Sequence, residues 1–268
     1  EAAVVYEEQQ LAGFIRDCAP SEKLKTYLLS EYDYHNAEAL MKAKHLKVPT
    51  DGMLRPSGRC DVTAMREKIF KDEYCDFSAP LREALESADS EFLNGTGGLR
   101  INSIFTRALY RELREAARGE HPLAEICDFR IDTLNIQTAL RARNLALAEE
   151  MFVPGGTLDE YLLHRICEDS PEAILADFKV SLYQEYVGSA LEALAEGRPF
   201  VDCENMADSY AVRLLKQDRF LLEGFYPFYL YCLYKANELK NVRIILVGLN
   251  NGATAGEIRG RLRECYEG

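Results

Sequence analysis

Two glutamate–histidine pairs are the residues of this chain that most readily suggest metal chemistry. Glu31 and His35 form one pair, Glu160 and His164 the other, and in each pair the residues are four positions apart. Di-iron helical bundles use a Glu-x-x-His motif, in which the ligands are three positions apart. Both pairs are one residue too far apart for that motif, and a spacing of four is typical of ordinary neighbours on a helix face. We therefore expect no metal site at either pair.

Cysteine, the other common metal ligand and nucleophile, is distributed singly. The eight cysteines form no C-x-x-C pair and no Cys/His cluster with zinc-ligand spacing, so a zinc site is not supported. Most fall within apolar helical stretches, which favours buried thiols and a reducing compartment, the cytoplasm. They are Cys18, Cys60, Cys75, Cys127, Cys167, Cys203, Cys232 and Cys265.

Motifs for enzymatic chemistry are missing from the sequence. The glycine-rich stretches "NGTGG" at 94–98 and "VPGGT" at 153–157 lack the Gly-Lys-Ser/Thr ending that binds nucleotide phosphates. There is no Gly-x-Ser-x-Gly elbow and no D-D-x-x-D metal signature. We predict a non-enzymatic protein without cofactor, metal or small-molecule substrate, and an all-α enzyme remains the alternative of another class.

Composition restricts the class of partner. The chain has 268 residues, 47% of them hydrophobic, and a net charge of −12, so nucleic acid would be repelled over most of its surface. No apolar run approaches the ~18 residues that a membrane span needs. Apolar residues recur at spacings of three and four, which predicts an all-α fold.

Helix-end signals support the all-α prediction. Thr157 with Glu160 predicts a capping box, and Ser170 before Pro171 predicts the start of a helix that ends at Gly197. Thr254 predicts the cap of a last helix.

One helical pattern occurs three times. Each copy has an acid three residues before an asparagine, apolar residues one, four and five positions after it, and a small residue seven positions after it. Offsets of one, four and five lie on one helical face, so each copy is expected to bury the same apolar stripe. The small residue would let a neighbouring helix approach closely. The acid and asparagine pairs are Asp33 and Asn36, Asp132 and Asn135, and Glu238 and Asn241.

These polar pairs have two interpretations. In the structural one, each asparagine forms a hydrogen bond with neighbouring backbone or with the acid one turn before it. In the functional one, the three pairs point into a polar cavity. The copies are 99 and 106 residues apart, which is too long for a solenoid period and suits a repeated helical domain.

The repeats carry a family resemblance. With "YEEQQ", "YLLSEYDYHNAEALMKAK", "DFRIDTLNIQTALRAR" and "NELKNVRIILVGLNNGATAGEIRGRL", the chain resembles the central-stalk socket protein of V-type rotary ATPases. This is the C subunit of the prokaryotic enzymes, which is related to the d subunit of the eukaryotic ones. Members of the family are usually longer, with additional helices before the point where this chain begins, so the first unit is expected to be truncated.

The resemblance implies a fold and a role. It implies three related helical domains, here 1–60, 61–155 and 156–268, arranged as a funnel around a central hollow. One face would receive the shaft subunits of the central stalk, and the other would lie on the membrane proteolipid ring. The protein would carry torque during ATP-linked proton or sodium transport without chemistry of its own. It would be cytoplasmic and peripheral to the membrane.

Two further possibilities concern partners. Arg259, Arg261 and Arg263 lie near the C-terminus of an otherwise acidic chain. They could complement a helix dipole or contact a partner subunit. The alternative to a rotor subunit is a helical-repeat adaptor that binds an unrelated protein in its concave face.

Overall fold

The computed structural model confirms the all-α prediction. It describes residues 2–50, 52–95, 98–142, 144–216 and 224–265. Within these ranges the chain forms thirteen helices and no strand. Thr96 and Gly97, in the glycine-rich stretch 94–98, lie outside the described residues. None of the helices in the described ranges is long and apolar enough to cross a membrane.

The helices differ widely in length. The longest are α2 and α12, which both have 25 residues and would be about 37 Å long at about 1.5 Å per residue. The helices are α1 Ala2–Cys18, α2 Glu22–Leu46, α3 Val62–Phe70, α4 Ala79–Leu93, α5 Gly98–Ala116, α6 His121–Ala142, α7 Leu145–Met151, α8 Glu160–Glu168, α9 Pro171–Asp177, α10 Gln184–Ala195, α11 Val201–Leu215, α12 Tyr226–Asn250 and α13 Ala255–Gly260.

The helices form two compact units, which we name after their longest helices. The α2 unit comprises Ala12–Cys127 and Glu149–Gly155, and the α12 unit comprises Glu1–Leu11, Asp128–Ala148 and Gly156–Gly268. The boundaries between the units therefore fall within α1, α6 and α7, and between Gly155 and Gly156. The division into three repeated domains at residues 60 and 155 stays a prediction.

The core of the α2 unit lies between α2 and the three helices that follow it. The apolar stripe of α2, Ala37, Leu40 and Met41, is fully buried. It belongs to one hydrophobic cluster with Met65 and Ile69 of α3. Packing of an apolar helix face in this way is the main source of stability for such a unit. The cluster is completed by side chains of α4 and α5, among them Leu81, Leu85, Ile101 and Phe105.

The α12 unit is built around the second half of α6 and helices α10 to α12. Phe129 of α6 stacks on Tyr183 and on Tyr210 of α11. The Gln137 amide donates to the Tyr186 hydroxyl of α10 at 2.5 Å. Aromatic side chains with polar ends therefore connect α6 to the helices that pack on it.

Two helix-end predictions need correction. Asp159, and not Thr157, caps α8, because its carboxylate accepts the N–H of Leu162 at 2.7 Å while Thr157 is engaged elsewhere. The predicted helix from Ser170 to Gly197 is two helices, α9 and α10, separated by the turns at 178–183. Ser170 does cap α9.

The last helix begins as predicted. Thr254 caps α13 in a complete capping box with Glu257, because the side chain of each residue accepts the backbone N–H of the other.

Candidate functional site at the anchored helices

Asp33 of α2 is fully buried and holds the chain segment that follows the helix. Its Oδ1 accepts the backbone N–H of Cys60 at 3.0 Å, and its Oδ2 accepts from the Arg59 guanidinium at 2.9 Å. Burial raises the pKa of Asp33, and these two donors act against that rise by stabilising the carboxylate. A buried acid that accepts backbone N–H groups fixes a loop and is not free for catalysis.

Arg59 extends this contact into a polar network inside the α2 unit. Its guanidinium lies 2.8 Å from Oε1 of Glu112 on α5. Oε2 of Glu112 accepts from the hydroxyls of Tyr34 and Ser78 at 2.7 and 2.8 Å. Burial and the nearby Glu112 raise the pKa of Tyr34, so its hydroxyl stays a donor at neutral pH. This network was not predicted from the sequence, because its members come from separate parts of the chain.

Asn36, one turn after Asp33, holds the same chain segment at a second point. Its amide nitrogen donates to the Arg55 carbonyl, and its Oδ1 accepts the Arg55 N–H, both at 2.7 Å. The asparagine therefore binds the backbone of one residue in the way that a neighbouring strand would. The partner is backbone 19 residues away, and not the acid one turn before Asn36.

Asp132 of α6 repeats the role of Asp33 in the α12 unit. Its carboxylate accepts the N–H groups of Thr157 and Leu158 at 2.9 to 3.1 Å. It also accepts from the hydroxyls of Thr157 and Tyr183 at 2.7 and 2.5 Å. Burial and the bond to Asp132 raise the pKa of Tyr183. Asn135, one turn after Asp132, is buried as well.

A glycine lies against the acid in both units. A Cβ atom on Gly58 would lie 2.1 Å from Oδ1 of Asp33, and a Cβ on Gly156 would lie 2.1 Å from Oδ1 of Asp132. Because a real Cβ does not come so close to another atom, a side chain at either position would force the carboxylate or the segment to shift. Each glycine precedes the N–H groups that the acid accepts. We call this arrangement of helix acid, glycine and backbone N–H groups an anchor.

The third copy of the pattern differs from the other two. Asn241 of α12 binds the backbone of Arg263 as Asn36 binds Arg55, with bonds of 2.9 and 2.7 Å. Glu238, in the position of the acid, is exposed and pairs with Lys235 on the surface. Its neighbour Asn237, which the pattern does not include, is buried and donates to the carbonyl of residue 264 at 2.8 Å. The acid of this copy therefore does not hold the returning chain.

The apolar stripe is also different in the third copy. Ile136, Ala139 and Leu140 of α6 are fully buried, like the stripe of α2. The prediction that every copy buries this stripe is wrong for α12. Its corresponding residues, Val242, Ile245 and Leu246, are 36 to 49% exposed.

The three C-terminal arginines have different surroundings. Arg263 is mostly buried, and its Nε lies 3.2 Å from Oδ2 of Asp208. Arg259 and Arg261 are exposed. Burial opposes ionisation of Asp208, but Lys240, Arg130 and Arg263 outweigh it, so the pKa of this carboxyl lies below its usual range.

The two glutamate–histidine pairs do not gather further ligands from their own unit in the described ranges. His35 Nε2 lies 2.9 Å from the Met53 carbonyl. Glu160 and His164 approach to 3.7 Å as neighbours on α8. The second contact is that of ordinary neighbours on one helix face. The repeated polar side chains that hold the chain's own backbone are Asp33, Asn36, Asp132 and Asn241. This arrangement supports a rigid scaffold.

Comparison with known proteins decides the family. A model of the family described as the ATP synthase (C/AC39) subunit matches residues 9–261, which is almost the whole chain. The chain belongs to this family. As an ATP synthase (C/AC39) subunit, it is an accessory, non-catalytic component of a rotary ATPase complex, and its protein partners are other subunits of that complex.

Individual relatives of this C/AC39 subunit are distant in sequence. The C subunit of the A-type ATP synthase of Pyrococcus abyssi (strain GE5 / Orsay) is 25% identical over 260 residues, which cover 88% of this chain and 67% of that protein. The C subunit of the V-type sodium ATPase of Enterococcus hirae is 21% identical over 281 residues, which cover 100% of this chain and 83% of that protein. The C subunit of the A-type ATP synthase of Pyrococcus horikoshii is 24% identical over 259 residues, with 88% and 67% covered.

Proposed function

We propose that this C/AC39 subunit is the socket of a rotary ATPase, which couples the rotating shaft to the membrane proteolipid ring. It carries torque during ATP-linked transport of protons or sodium ions. It lies on the cytoplasmic side, peripheral to the membrane, and touches the membrane only through the ring protein. Family membership supports this proposal, and the three repeated helical patterns support an arrangement around a central hollow.

The observation that carries the proposal is the anchor that recurs in both units. A torque adaptor must resist deformation under load, so its helices and the segments between them have to move as one body. Asp33 and Asp132 fix two such segments through buried, charge-assisted hydrogen bonds, which are stronger than neutral ones. Close packing of the helix faces adds low compressibility. The polar groups that an enzyme would use on substrate are used here for stiffness.

Reconstitution tests the proposed function directly. The purified chain is mixed with the purified shaft subunits and, separately, with the detergent-solubilised ring of one rotary ATPase, and complexes are measured by native mass spectrometry. We expect one copy of the chain in each complex and a ternary assembly when all three components are present. A folded chain that binds neither component would overturn the proposal and favour an adaptor with an unrelated partner.

A matched pair of variants controls for folding. Asp132→Asn perturbs a buried anchor, whereas Glu238→Gln changes the exposed acid at the same position of the repeated pattern. We expect Glu238→Gln to bind the shaft subunits like the parent chain. Asp132→Asn should lose binding only in proportion to its loss of folded protein.

A further inference from the structure

Helix α5 carries a row of arginines along one face. Arg100, Arg107, Arg111 and Arg114 follow one another at spacings of seven, four and three residues, which places them in line on the helix. We call them the arginine row. A different face of α5 packs into the core of the α2 unit. In a chain of net charge −12, the row concentrates positive charge on one helix face.

A short segment later in the chain lies on the arginine row. Residues Glu149–Gly155 belong to the α2 unit, although the residues before and after them belong to the α12 unit. We call this segment the strap. Arg107 donates to two of its carbonyls, that of Phe152 at 2.7 Å and that of Glu149 at 2.9 Å. One guanidinium therefore holds the strap backbone at two points.

Other polar side chains of α5 hold the strap on either side of this contact. Two nitrogens of Arg100 donate to the carboxylate of Glu150, at 3.1 and 2.8 Å. The Ser103 hydroxyl donates to the carbonyl of the same glutamate at 3.1 Å. Gly155, the last strap residue, lies against Arg114, because a Cβ on this glycine would be 2.6 Å from Nη1 of Arg114. The strap is thus bound mainly through charged and polar groups.

The first part of the strap is the end of helix α7, Leu145–Met151. The last carbonyls of a helix have no hydrogen-bond partner within it. Here Arg107 and Ser103 donate to the carbonyls at this end. A helix of seven residues is too short to be stable alone in water. The end of α7 therefore depends on donors from α5.

Little apolar burial adds to these polar contacts. Val153 is 2% exposed, and it is the one buried residue among the seven of the strap, all of which the structure describes. Segments with few buried apolar contacts open locally at a lower free energy than the core around them. Gly155 and Gly156 follow with φ +112° and +80°, conformations that side chains rarely adopt, and they provide a pivot at the end of the strap.

We propose that the strap is a latch, which opens and recloses as one piece while the α2 unit stays folded, and that the arginine row keeps it closed. Opening would free seven residues between Ala148 and Gly156, which both belong to the α12 unit. The helices α1 and α6, which also pass from one unit to the other along the chain, would remain intact.

Hydrogen exchange of the full chain, measured by mass spectrometry, tests whether the latch opens locally. We expect the amides of residues 148–152 to exchange through an opening that low urea concentrations hardly change. Amides around Leu40, in the core of α2, should exchange only through unfolding, which urea accelerates. If both sets respond to urea alike, the strap opens only when the unit unfolds, and the latch is overturned.

Two variants test the role of the arginine row. Arg107→Met removes both donors to the strap carbonyls, and we expect the strap amides to exchange about 10- to 100-fold faster. Arg111→Met is the matched control, because Arg111 belongs to the same row but donates to Glu83 of α4 at 2.7 Å. It should leave exchange of the strap unchanged. Equal exchange rates in the two variants would overturn the role of the row. Circular dichroism checks that both variants fold.

Salt provides a test that needs no change in the parent chain. The side chains of Arg100 and Glu150 are 49 and 48% exposed, so salt should screen their attraction. Raising the NaCl concentration from about 0.05 M to about 1 M should speed exchange of the strap about threefold, relative to a free peptide of residues 144–158. Glu150→Gln should exchange faster at low salt and lose this salt dependence. If salt has no effect on the parent chain, the charged contacts do not keep the latch closed. All these measurements use the chain alone, so their outcome does not depend on the socket role.

Discussion

Gly156 lies so close to the carboxylate of Asp132 that a Cβ atom on this glycine would be 2.1 Å from Oδ1. In the other unit, a Cβ atom on Gly58 would likewise be 2.1 Å from Oδ1 of Asp33. In both cases the close approach lets the carboxylate reach backbone N–H groups one or two residues beyond the glycine. Two segments with different sequences thus dock on their helices through the same geometry.

Gly156→Ala should therefore destabilise the chain more than backbone strain alone explains. Gly156 has φ +80°, so an alanine there is strained as well as placed against Asp132. Gly119→Ala is the control, because Gly119 has φ +87° with nothing within 4 Å of its Cβ position. We expect Gly156→Ala to lower the free energy of unfolding in urea by about 2 kcal/mol more than Gly119→Ala. Equal losses would show that the segment can move away from Asp132 at little cost.

Replacing Asp132 should show how much the anchor contributes to the free energy of unfolding. In Asp132→Asn one acceptor oxygen becomes an NH₂ group, while the donors from Thr157, Leu158 and Tyr183 remain in place. Because charge-assisted bonds are lost, we expect the free energy of unfolding to fall by about 2 to 3 kcal/mol. Glu238→Gln, at the exposed third position, should change it by less than about 0.5 kcal/mol. A similar effect of both substitutions would contradict a special role for the buried acid.

The asparagine of α12 should hold the C-terminal segment on the helix. Asn241→Leu removes both hydrogen bonds to the Arg263 backbone and leaves its N–H and carbonyl groups to water. We expect faster trypsin cleavage after Arg259, Arg261 and Arg263, measured by mass spectrometry, and a loss of about 1 to 2 kcal/mol in stability. Asn250→Leu, at the exposed end of the same helix, should leave the cleavage rate unchanged.

Low pH should remove the contribution of Asp208 to the stability of the fold. Its folded pKa lies below the usual value near 4, because Lys240, Arg130 and Arg263 outweigh the effect of burial. The unfolded chain therefore binds more protons between the two pKa values, so the stability from Asp208 is complete above the unfolded pKa and disappears as pH falls through the folded one.

Asp208→Asn measures this contribution. At pH 7 the variant should be about 1 to 3 kcal/mol less stable than the parent chain in urea unfolding, because charged hydrogen-bond partners of Lys240 and Arg263 are lost. As pH falls below about 4, the difference should shrink, and a difference that stays constant with pH would argue against the ion pairs. Asp61→Asn, at the exposed cap of α3, is the stability control and should lower the free energy of unfolding at pH 7 by less than Asp208→Asn does.

The helix periodicity and several caps were predictable from sequence, because they depend on residues within one or two turns of each other. Ser170 and Thr254 were assigned correctly on this basis. Thr157 was not, because its hydroxyl and N–H are bound by Asp132, 25 residues earlier. Local capping rules cannot anticipate a competing partner that arrives through tertiary packing.

The roles within the repeated pattern show the same limit. The positions of Asp33, Asn36, Asp132 and Asn135 followed from alignment of the copies, and nothing in that alignment distinguished Glu238 from the other acids. In the structure, Asn237 donates to the backbone carbonyl of Glu264, whereas Glu238 pairs with Lys235 on the surface. The contact between α5 and the loop after α2, and the two crowded glycines, were equally unpredictable, since they join residues that lie far apart in sequence.

Side-chain periodicity and motif spacing are local properties of the chain, and for that reason the all-α class, the threefold pattern and the resemblance to the C/AC39 family followed from the sequence alone. Only the tertiary structure showed which copies of the pattern hold an anchor. It also showed which face of α12 stays exposed. Burial depends on whether other helices cover a face, and α2 and α12 carry the same row of apolar positions with opposite outcomes.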